Sequence, residues 1–373
     1  MKGLYVINSL EGGGAERVFS NLLEILSETD GYDDLSVVLL DKYRAAYVMP
    51  SKVASYQLMG PKPRFKNFFS FLKIVKDEKP EYVVSFLTRA NFFNIVGSYM
   101  YGYKSIISER SNTDGRFGKR FYKIKKMLTG YIYRKADKIV AVSKGVESCL
   151  VNNYGVNPSK VVCLHNPVNV ALIENIANKV NVGIAKPYII AMGRLVKSKC
   201  FDILIDSYAK SNIDEELRIL GEGPELDYLK SKVRKLNLEH KVHFMGFQEN
   251  PYSYIKNAEF FVLPSSLEGF PNALVEAMAL SKAVISTNCT DGPSEILNLE
   301  KAILNSDFVI TEYGLMVNVC DCEGLSKALK LLSKDKKINK ILSLKAYERV
   351  QKYSPENFRN SFIEIINDTT KNQ

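Results

Sequence analysis

The sequence has few of the residues on which metal centres, disulfide scaffolds and membrane spans depend. Its 373 residues include six cysteines, three histidines and no tryptophan. Cys320 and Cys322 are the only close pair of cysteines, and they have no cysteine or histidine partners at zinc-site spacing. We therefore expect all six thiols to be reduced and structural, as in a cytosolic protein. No apolar run approaches the ~18 residues that would predict a transmembrane helix.

The beginning of the chain lacks the charged start and the long apolar middle of a signal peptide. Residues 2–9 instead form a short, mostly apolar run that predicts a first β-strand. Hydrophobic residues make up 46% of the sequence and charged residues 25%, which is the composition of a globular protein. The length is sufficient for two ordinary domains.

Positive charge is concentrated in the first half of the chain. Residues 1–168 contain 25 lysines and arginines against 15 acidic residues, whereas the remainder contains 26 of each. The whole net charge of +10 therefore belongs to the first half. Such an imbalance suggests a polyanionic partner or a membrane surface, although a basic domain that is merely soluble has the same composition.

Strand-like and helix-like segments alternate in both halves, which predicts an α/β protein with parallel sheets and right-handed crossovers. We place domain boundaries after residues 168 and 352, and an amphipathic helix begins at Pro355. Ligands of such sheets collect at the carboxyl ends of the strands. Asp41 ends the second predicted strand, where we interpret it as an ordinary strand-end residue rather than a ribose ligand. In the first half, polar residues follow the predicted strands at 9–14, 88–91, 108–112 and 143–144.

A glycine-rich loop follows the first predicted strand. Gly12, Gly13 and Gly14 precede a predicted helix whose apolar positions begin at Val18. A strand, a glycine loop and a helix N-terminus form a cradle for anions, because the free backbone N–H groups point at the ligand. A dinucleotide-binding fingerprint would require a third glycine where Arg17 stands, which argues against a dehydrogenase.

Two glutamates frame a loop that enters a helix in the second half. Glu268 and Glu276 lie eight positions apart, after an apolar run at residues 260–263 that predicts a buried strand. Pro271 suits the first turn of the helix, which puts Glu268 in the loop and Glu276 just inside the helix. Such a loop can bind phosphate through its N–H groups and sugar hydroxyls through its carboxylates. The alternative is one solvated glutamate and one that offsets the helix dipole.

Two cations precede another helix of the second half. Arg194 and Lys199 lie between a predicted strand at 188–192 and a helix that begins near Phe201. Cations are unfavourable at a helix N-terminus, because the helix dipole prefers anions there. A bound diphosphate would resolve this conflict, whereas two solvated charges are the alternative.

Together with Gly193-Arg194-Leu195, Lys199 and Gly221-Glu222-Gly223-Pro224-Glu225, the two glutamates give the chain its resemblance to a known family. It resembles the retaining glycosyltransferases of family 4, whose mark is two glutamates separated by seven residues. The resemblance implies a GT-B fold, in which two Rossmann-like domains face each other across a cleft and the last helix crosses back to the first domain. It makes residues 1–168 the acceptor-binding domain and residues 169–352 the nucleotide-sugar-binding domain.

The resemblance also implies roles for individual residues. Arg194 and Lys199 would stabilise the leaving diphosphate, Glu276 would accept from the ribose, and Glu268 would hold the donor sugar. No metal is then required. Cys200 stands where the family usually has a glycine. No histidine precedes residue 165, so the role of the histidine that many members use is either missing or taken by a polar group such as Arg110 or Asn112. The remaining donor-side candidates are Gly14, Gly193, Gly246, Phe247, Gly269, Phe270, Pro271, Asn272, Ala273 and Leu274, and the acceptor-side candidates are Gly13, Glu16, Arg110 and Asn112.

Residues 116–138 form a basic amphipathic stretch with nine lysines and arginines and one acidic residue. Apolar residues such as Phe117 and Ile124 are interleaved with these charges. The pattern fits an anionic membrane surface or the pyrophosphate of a lipid carrier, with a solvated helix face as the alternative. No nucleic-acid module accompanies it, so we expect no nucleic-acid partner. The residues that we assign to the membrane or lipid carrier are Lys119, Arg120, Lys123 and Lys126.

Together with the basic stretch, the resemblance implies a retaining, metal-independent glycosyltransferase at the inner face of the cell membrane. Its donor would be a nucleotide sugar, for which we favour UDP, and its acceptor a lipid-linked glycan of capsule, O-antigen or glycoprotein synthesis. A GT-B nucleotide-sugar epimerase is one alternative. Such enzymes need acids and histidines for proton abstraction, and the absence of any histidine before residue 165 argues against this alternative. A non-catalytic sugar-nucleotide-binding protein at the membrane is the other alternative.

Overall fold

The computed structural model describes residues 1–11, 13–32, 34–41, 47, 49–58, 64–110, 122–180, 186–289, 291–299 and 307–371. The chain divides into two compact units, one of residues 1–167 and 355–373 and the other of residues 168–354. The sequence places these boundaries after residues 168 and 352. Among the described residues, no helix is both long enough and apolar enough to cross a membrane.

The first unit contains a parallel sheet with strand order β3-β2-β1-β4-β5-β6-β7 in the described part of the chain. Its strands are β1 (Gly3–Ile7), β2 (Leu35–Leu39), β3 (Ala54–Gln57), β4 (Tyr82–Phe86), β5 (Lys104–Glu109), β6 (Lys138–Ala141) and β7 (Val161–Cys163). The helices in its first segment, residues 1–167, are α1 (Gly14–Ser27), α2 (Arg64–Glu78), α3 (Thr88–Tyr101), α4 (Tyr122–Tyr133) and α5 (Lys144–Tyr154). The strand order reverses between β1 and β4.

The second unit repeats this plan, with strand order β10-β9-β8-β11-β12-β14-β13. Its strands are β8 (Tyr188–Met192), β9 (Glu216–Leu220), β10 (Val242–Gly246), β11 (Phe261–Leu263), β12 (Val284–Thr287), β13 (Phe308–Ile310) and β14 (Leu315–Val317). Its helices are α6 (Val170–Asn178), α7 (Phe201–Ser211), α8 (Leu226–Lys235), α9 (Pro251–Lys256), α10 (Asn272–Ala279), α11 (Pro293–Ile296), α12 (Cys322–Lys334) and α13 (Lys336–Val350). Strand β13 pairs antiparallel with β14, and the other paired strands are parallel. The strand order reverses between β8 and β11.

Burial explains why the sequence indicated most of these strands. The residues of β1, β2 and β4 are all buried, because helices cover both faces of a parallel sheet. Such strands are continuous apolar runs, which are easy to recognise. Strand β3 has the sequence Ala-Ser-Tyr-Gln and is largely exposed at the sheet edge, so it has no such pattern.

The last helix, α14 (Pro355–Lys371), belongs to the first unit, as the sequence predicted. Phe358 and Phe362 stack at 5.8 Å and are buried in the same hydrophobic cluster as the residues of β1 and α1. Ile365 and Ile366 join this cluster one turn later. The helix continues for five residues beyond Ile366 and ends at Lys371.

Candidate active site

The loops that follow β8 and β11 lie side by side at the carboxyl edge of the second sheet. These two strands are neighbours, and they flank the point at which the strand order reverses. Ligands of open parallel sheets bind in the crevice outside the strand ends at such a point. The loop after β8 contains Arg194 and Lys199, and the loop after β11 contains Glu268. The fold therefore brings together charged residues that are far apart in the sequence.

Lys199 and Glu268 form an ion pair across these loops. The Lys199 ammonium donates to Glu268 Oε1 at 2.5 Å, with the two side chains 24% and 10% exposed. The backbone N–H and the hydroxyl of Ser266 both donate to the carbonyl of Ser198, at 2.8 and 3.1 Å. These hydrogen bonds tie the two loops together and hold the ion pair at the sheet edge.

Arg194 is exposed, and no hydrogen bond or ion pair holds its side chain among the described residues. It lies between buried Leu195 and the end of β8, so its backbone is fixed although its side chain points to solvent. A guanidinium in this position can rotate to meet a bidentate anion such as phosphate.

Two glycines allow the loop after β9 to pack directly on the loop after β8. Gly221 has φ +127°, and a side chain on it would collide with the carbonyl of Gly193. A side chain on Gly223 would collide with the carbonyl of Leu195. Leu195 N–H donates to the carbonyl of Glu222 at 2.8 Å, which joins the two backbones. The glycines of this motif are therefore explained by close packing that shapes the site.

Cys200 adopts a left-handed backbone conformation. Glycine adopts this conformation without strain, which explains why the family usually has a glycine at this position. The φ of Cys200 is +49°, and the residue caps the N-terminus of α7. Burial raises the pKa of the Cys200 thiol, so the thiol is protonated at neutral pH. It donates to the carbonyl of Lys197 at 3.4 Å, a contact that glycine could not make.

Glu276 lies in the middle of α10 and is buried, with 5% of its surface exposed. The helix begins at Asn272, so Pro271 precedes it rather than occupying its first turn. Asn272 and Ala273 are half-buried, whereas the Leu274 side chain is completely buried and only its backbone can face a ligand. Leu274 N–H and Val275 N–H donate to the carbonyl of Pro271, at 3.0 and 3.4 Å, which fixes the first turn of α10 against the end of the loop that carries Glu268.

The segment from Gly269 to Pro271 is packed from two sides. The rings of Phe270 and Tyr353 meet edge to face at 5.3 Å. A side chain on Gly292 would collide with the carbonyl of Gly269, so the start of α11 lies directly against this loop. The predicted donor-side residues from Glu268 to Leu274 thus form one continuous segment, which comprises the end of the loop after β11 and the start of α10.

Gly246 and Phe247 lie at the end of the edge strand β10. Gly246 has φ +65°, and the Phe247 side chain is 68% exposed. The N–H of Phe247 donates to Glu222 Oε1 at 3.4 Å, which links this turn to the glycine motif. An exposed ring at a strand end can stack on a planar ligand.

Cys289 lies near the ion pair, but its thiol is not a nucleophile. Burial, together with the negative charge of Glu268, raises the pKa of Cys289 to about 12. A thiol with this pKa is protonated at neutral pH, and only the thiolate is nucleophilic.

The sequence-predicted residues of the first unit have different surroundings. Gly13 caps the N-terminus of α1, Gly14 begins that helix, and Glu16 lies in its first turn. Arg110 is buried, donates to Ser108 Oγ at 3.2 Å and to Asn166 Oδ1, and lies 5.1 Å from the centre of the Phe86 ring. Burial lowers the pKa of the Arg110 guanidinium, and the Glu109 carboxylate acts in the opposite direction. Asn112, Lys119 and Arg120 lie outside the described residues.

Sequence reasoning missed an ion pair in the first unit. Asp41, interpreted as an ordinary strand-end residue, pairs with Arg89 in the first turn of α3. The polar residues 88–91 after β4 could have revealed this ion pair. Strands β2 and β4 both flank β1, so the residues that follow their carboxyl ends lie at one edge of the sheet.

Comparison with known proteins shows which families the chain matches. The model of the family "Glycosyltransferase Family 4" matches residues 12–172, and that of "Glycosyl transferases group 1" matches residues 173–349. The chain is 33% identical over 365 residues to N-acetylgalactosamine-N,N'-diacetylbacillosaminyl-diphospho-undecaprenol 4-alpha-N-acetylgalactosaminyltransferase of Campylobacter jejuni, covering 93% of this chain and 94% of the relative. It is 23% identical over 363 residues to the amylovoran biosynthesis glycosyltransferase AmsD of Erwinia amylovora, covering 95% and 96%.

Solved structures share the fold. HepE of Anabaena in complex with UDP-glucose has a TM-score of 0.81 at 16% identity, covering 99% of this chain and 100% of that one. Sucrose-phosphate synthase of Thermosynechococcus elongatus has a TM-score of 0.82 at 16% identity, covering 100% of both. At these identities the likeness shows the fold, which is GT-B, as the sequence predicted.

Proposed function

The chain belongs to glycosyltransferase family 4, and from this we propose that it moves a hexose or N-acetylhexosamine from a UDP-sugar to a growing glycan on undecaprenyl diphosphate. Transfer occurs with retention of the anomeric configuration. The observation that carries the proposal is the Lys199–Glu268 ion pair beside exposed Arg194, at the point where the strand order of the second sheet reverses. Two cations and a carboxylate at a ligand-binding edge suit a sugar attached to a diphosphate.

The relatives support the choice of donor and acceptor. The name of the Campylobacter jejuni relative describes a transferase of N-acetylgalactosamine that acts on a sugar linked to diphospho-undecaprenol. HepE binds UDP and UDP-glucose in its crystals. An N-acetylhexosamine on UDP, and an acceptor on a polyprenyl diphosphate, are therefore the first substrates to test.

The site supplies charge where the reaction develops it. Cleavage of the glycosidic bond to the diphosphate leaves negative charge on the phosphate oxygens, and preorganised cations lower the free energy of that state. Lys199 has three N–H donors, so it can keep its contact with Glu268 while it donates to a phosphate oxygen. Arg194 provides a second, bidentate contact.

The carboxylates bind the two sugars of the donor. Glu268 has a second oxygen that can accept from hydroxyls of the transferred sugar, and Glu276 accepts from the ribose. The leaving phosphate takes the proton of the acceptor hydroxyl, so no protein base and no metal ion is required. Gly13 and Glu16 contribute to the acceptor side from the start of α1, and Arg110 contributes from the position directly after β5.

The surface of α3 and α4 supports attachment to an anionic membrane. The residues Tyr99, Met100, Ile124, Met127, Leu128 and Tyr131, which we name the α3–α4 patch, are all exposed large hydrophobic side chains. Lys135 joins the two helices, because its ammonium donates to the Tyr99 hydroxyl at 3.1 Å and lies 5.0 Å from the centre of the Tyr131 ring. Exposed Lys123 and Lys125 flank the patch, whereas Lys126 packs on the rings of Tyr122 and Tyr154.

Apolar side chains beside lysines are the pattern of a surface that enters the head-group region of a bilayer. We place the enzyme in the cytoplasm at the inner face of the cell membrane, where a lipid-linked acceptor is found.

The test is transfer in solution. The protein is incubated with a panel of UDP- and GDP-sugars, with and without a synthetic N-acetylhexosamine linked to a prenyl diphosphate, and nucleotide release and product are measured. We expect acceptor-dependent release of UDP and a product whose new linkage keeps the donor configuration by NMR. Interconversion of the donor sugar without release would identify an epimerase, and binding with neither reaction would identify a non-catalytic protein. Lys199→Ala and Lys197→Ala serve as the site variant and its matched control, since exposed Lys197 lies two residues away.

A further inference from the structure

The first unit has a cavity of its own at the carboxyl edge of its sheet. Its volume is about 470 Å³, within the range of roughly 300–1,000 Å³ that is usual for small-molecule sites. The strand order of this sheet reverses between β1 and β4, which is where an open α/β sheet binds its ligands. The residues that line the cavity follow β1, β2 and β4, and they are Asn8, Asp41, Thr88, Arg89, Phe92 and Phe93.

One side of the cavity is polar and incompletely hydrogen-bonded. Asp41 and Arg89 form an ion pair through Oδ2 and Nη2, and the Asp41 side chain is 9% exposed. Within the described part of the chain, Asp41 Oδ1, Arg89 Nε and Asn8 Oδ1 are buried atoms without a hydrogen-bond partner. Buried polar atoms are rarely left in this state, because each lost hydrogen bond costs free energy. A ligand that supplies the missing partners would recover that free energy.

The unpaired atoms indicate a neutral, hydroxyl-bearing ligand. They comprise two acceptors, on Asp41 and Asn8, and one donor, on Arg89. A sugar hydroxyl donates one hydrogen bond and accepts others, so it can satisfy both kinds of atom. An anion such as phosphate offers mainly acceptors at neutral pH, so it suits the two unpaired acceptors poorly, and Asp41 already neutralises the charge of Arg89.

The other side of the cavity is aromatic. Phe92 and Phe93 are half-buried. The Phe92 ring lies 6.1 Å from the ring of Tyr133, and the Phe93 ring lies 5.0 Å from the ring of Phe68, so both rings are fixed by packing. A pyranose has one apolar C–H face and a rim of hydroxyls, and the negative face of an aromatic ring attracts such C–H groups.

The backbone at the mouth of the cavity is strained. Leu87, directly before Thr88 and Arg89, has φ +75° and ψ 147°, a conformation that is unfavourable for any residue with a side chain. Such strain costs free energy and is concentrated at functional sites. Here it sets the direction in which the first turn of α3, and with it Arg89, enters the cavity.

We propose that this cavity binds the terminal pyranose of the acceptor glycan. Asp41, Arg89 and Asn8 hold its hydroxyl or acetamido groups, and Phe92 and Phe93 pack against its apolar face. The assignment rests on the proposed transferase function for the identity of the acceptor. The cavity itself lies wholly in the first unit, and its residues are separate from the donor-side residues of the second unit.

Direct binding tests the cavity without any reaction. The probe is methyl N-acetyl-α-D-galactosaminide, followed by saturation-transfer NMR and by titration in the absence of donor. We expect binding by the wild type, and affinity lower by about tenfold or more in Asp41→Asn and in Arg89→Gln, because each variant loses a charged hydrogen-bonding group. Lys2→Gln is the matched control: Lys2 pairs with Glu78 at 3.0 Å and lies at the opposite edge of the same sheet, so it should bind like the wild type.

Kinetics provides the second readout. The KM for a soluble acceptor glycoside should rise by about tenfold or more in the cavity variants. The affinity for UDP and the slow hydrolysis of the UDP-sugar should remain those of the wild type. If Asp41→Asn proves unfolded by circular dichroism, Asn8→Ala, which removes one unpaired acceptor and no ion pair, takes its place.

The possible failures are distinct. Wild-type probe binding and acceptor KM in Asp41→Asn, Arg89→Gln and Asn8→Ala would overturn the cavity assignment and leave the transferase function intact. A wild-type protein that releases no nucleotide from any sugar donor would overturn the transferase function. In that case the loss of NMR binding in Arg89→Gln, but not in Lys2→Gln, would still support a sugar site in the cavity.

Discussion

Lys199 Nζ lies 2.5 Å from Glu268 Oε1, although the two residues are 69 positions apart in the chain. The adjacency of β8 and β11 produces this contact, since each residue lies in the loop that follows one of these strands. The pair places a cation at a ligand-binding edge and compensates it in the absence of ligand. An uncompensated, partly buried ammonium would otherwise lose hydration without gaining a partner.

Replacing Lys199 with alanine should lower kcat/KM by roughly 10²–10³-fold, because one preorganised charge on a developing anion contributes ~3–4 kcal/mol. The measurement is initial-rate UDP release with acceptor. Lys197→Ala, at an exposed position two residues earlier, should remain within about threefold of the wild type. Near-normal turnover of Lys199→Ala would remove this residue from the reaction.

The two glutamates should affect different parts of the donor. Glu276→Gln should weaken binding of UDP itself, whereas Glu268→Gln should weaken binding of the UDP-sugar more than that of UDP. Glutamine keeps the size of each side chain and removes its charge, so the packing of buried Glu276 is preserved. Calorimetry with both ligands and both variants measures the difference. Equal losses for both ligands in both variants would contradict the division of roles.

Sequence alone could predict the elements of this site but not their pairing. The apolar run of β11, Pro271 and the two glutamates indicate a strand, a turn and a helix from local patterns. That Lys199 contacts Glu268 depends on strand order, which local patterns do not encode. The same limit explains Asp41: its partner Arg89 is distant in sequence and becomes a neighbour only because β1, β2 and β4 are adjacent.

The backbone of Cys200 was also beyond local prediction, and it leads to a stability test. At φ +49° a glycine is unstrained, and a β-branched residue is the least tolerated type. Cys200→Val should therefore lower stability by about 1–3 kcal/mol and reduce activity, because the loop that carries Lys199 would shift. Cys200→Gly should keep both, since relief of strain offsets the loss of a buried thiol. Thermal unfolding and UDP release measure the two effects, and equal behaviour of the two variants would contradict the strain argument.

Chelation should leave the transferase active. Arg194 and Lys199 provide positive charge for the leaving diphosphate, so the proposed mechanism contains no step that needs a divalent ion. Initial rates are compared after dialysis against EDTA, without added metal and with Mg²⁺ or Mn²⁺. Loss of activity in EDTA that either ion restores would show that a metal supplies part of this charge.

The α3–α4 patch should bring the enzyme to anionic membranes. Each lysine near such a surface contributes ~1 kcal/mol, and exposed apolar residues add insertion into the head-group region. The variant Lys123→Gln/Lys125→Gln/Met127→Ser/Leu128→Ser should therefore bind anionic liposomes with an affinity lower by about 30-fold or more, since the two lysines alone contribute ~2 kcal/mol, and co-sedimentation measures this affinity. Its activity on a soluble acceptor should survive, and its activity on a lipid-linked acceptor should fall.

Helix α13 of the second unit offers a matched control for this membrane test. Lys340, Ile341, Leu344 and Lys345 are all exposed there, so Lys340→Gln/Ile341→Ser/Leu344→Ser/Lys345→Gln removes the same number of charges and apolar side chains from a surface helix. It should sediment like the wild type. High salt should release the wild type in part, because screening weakens the lysine contribution but not the apolar one. If the α4 variant and the α13 control sediment equally well, the charges of α4 form a solvated face and the enzyme reaches its acceptor by another surface.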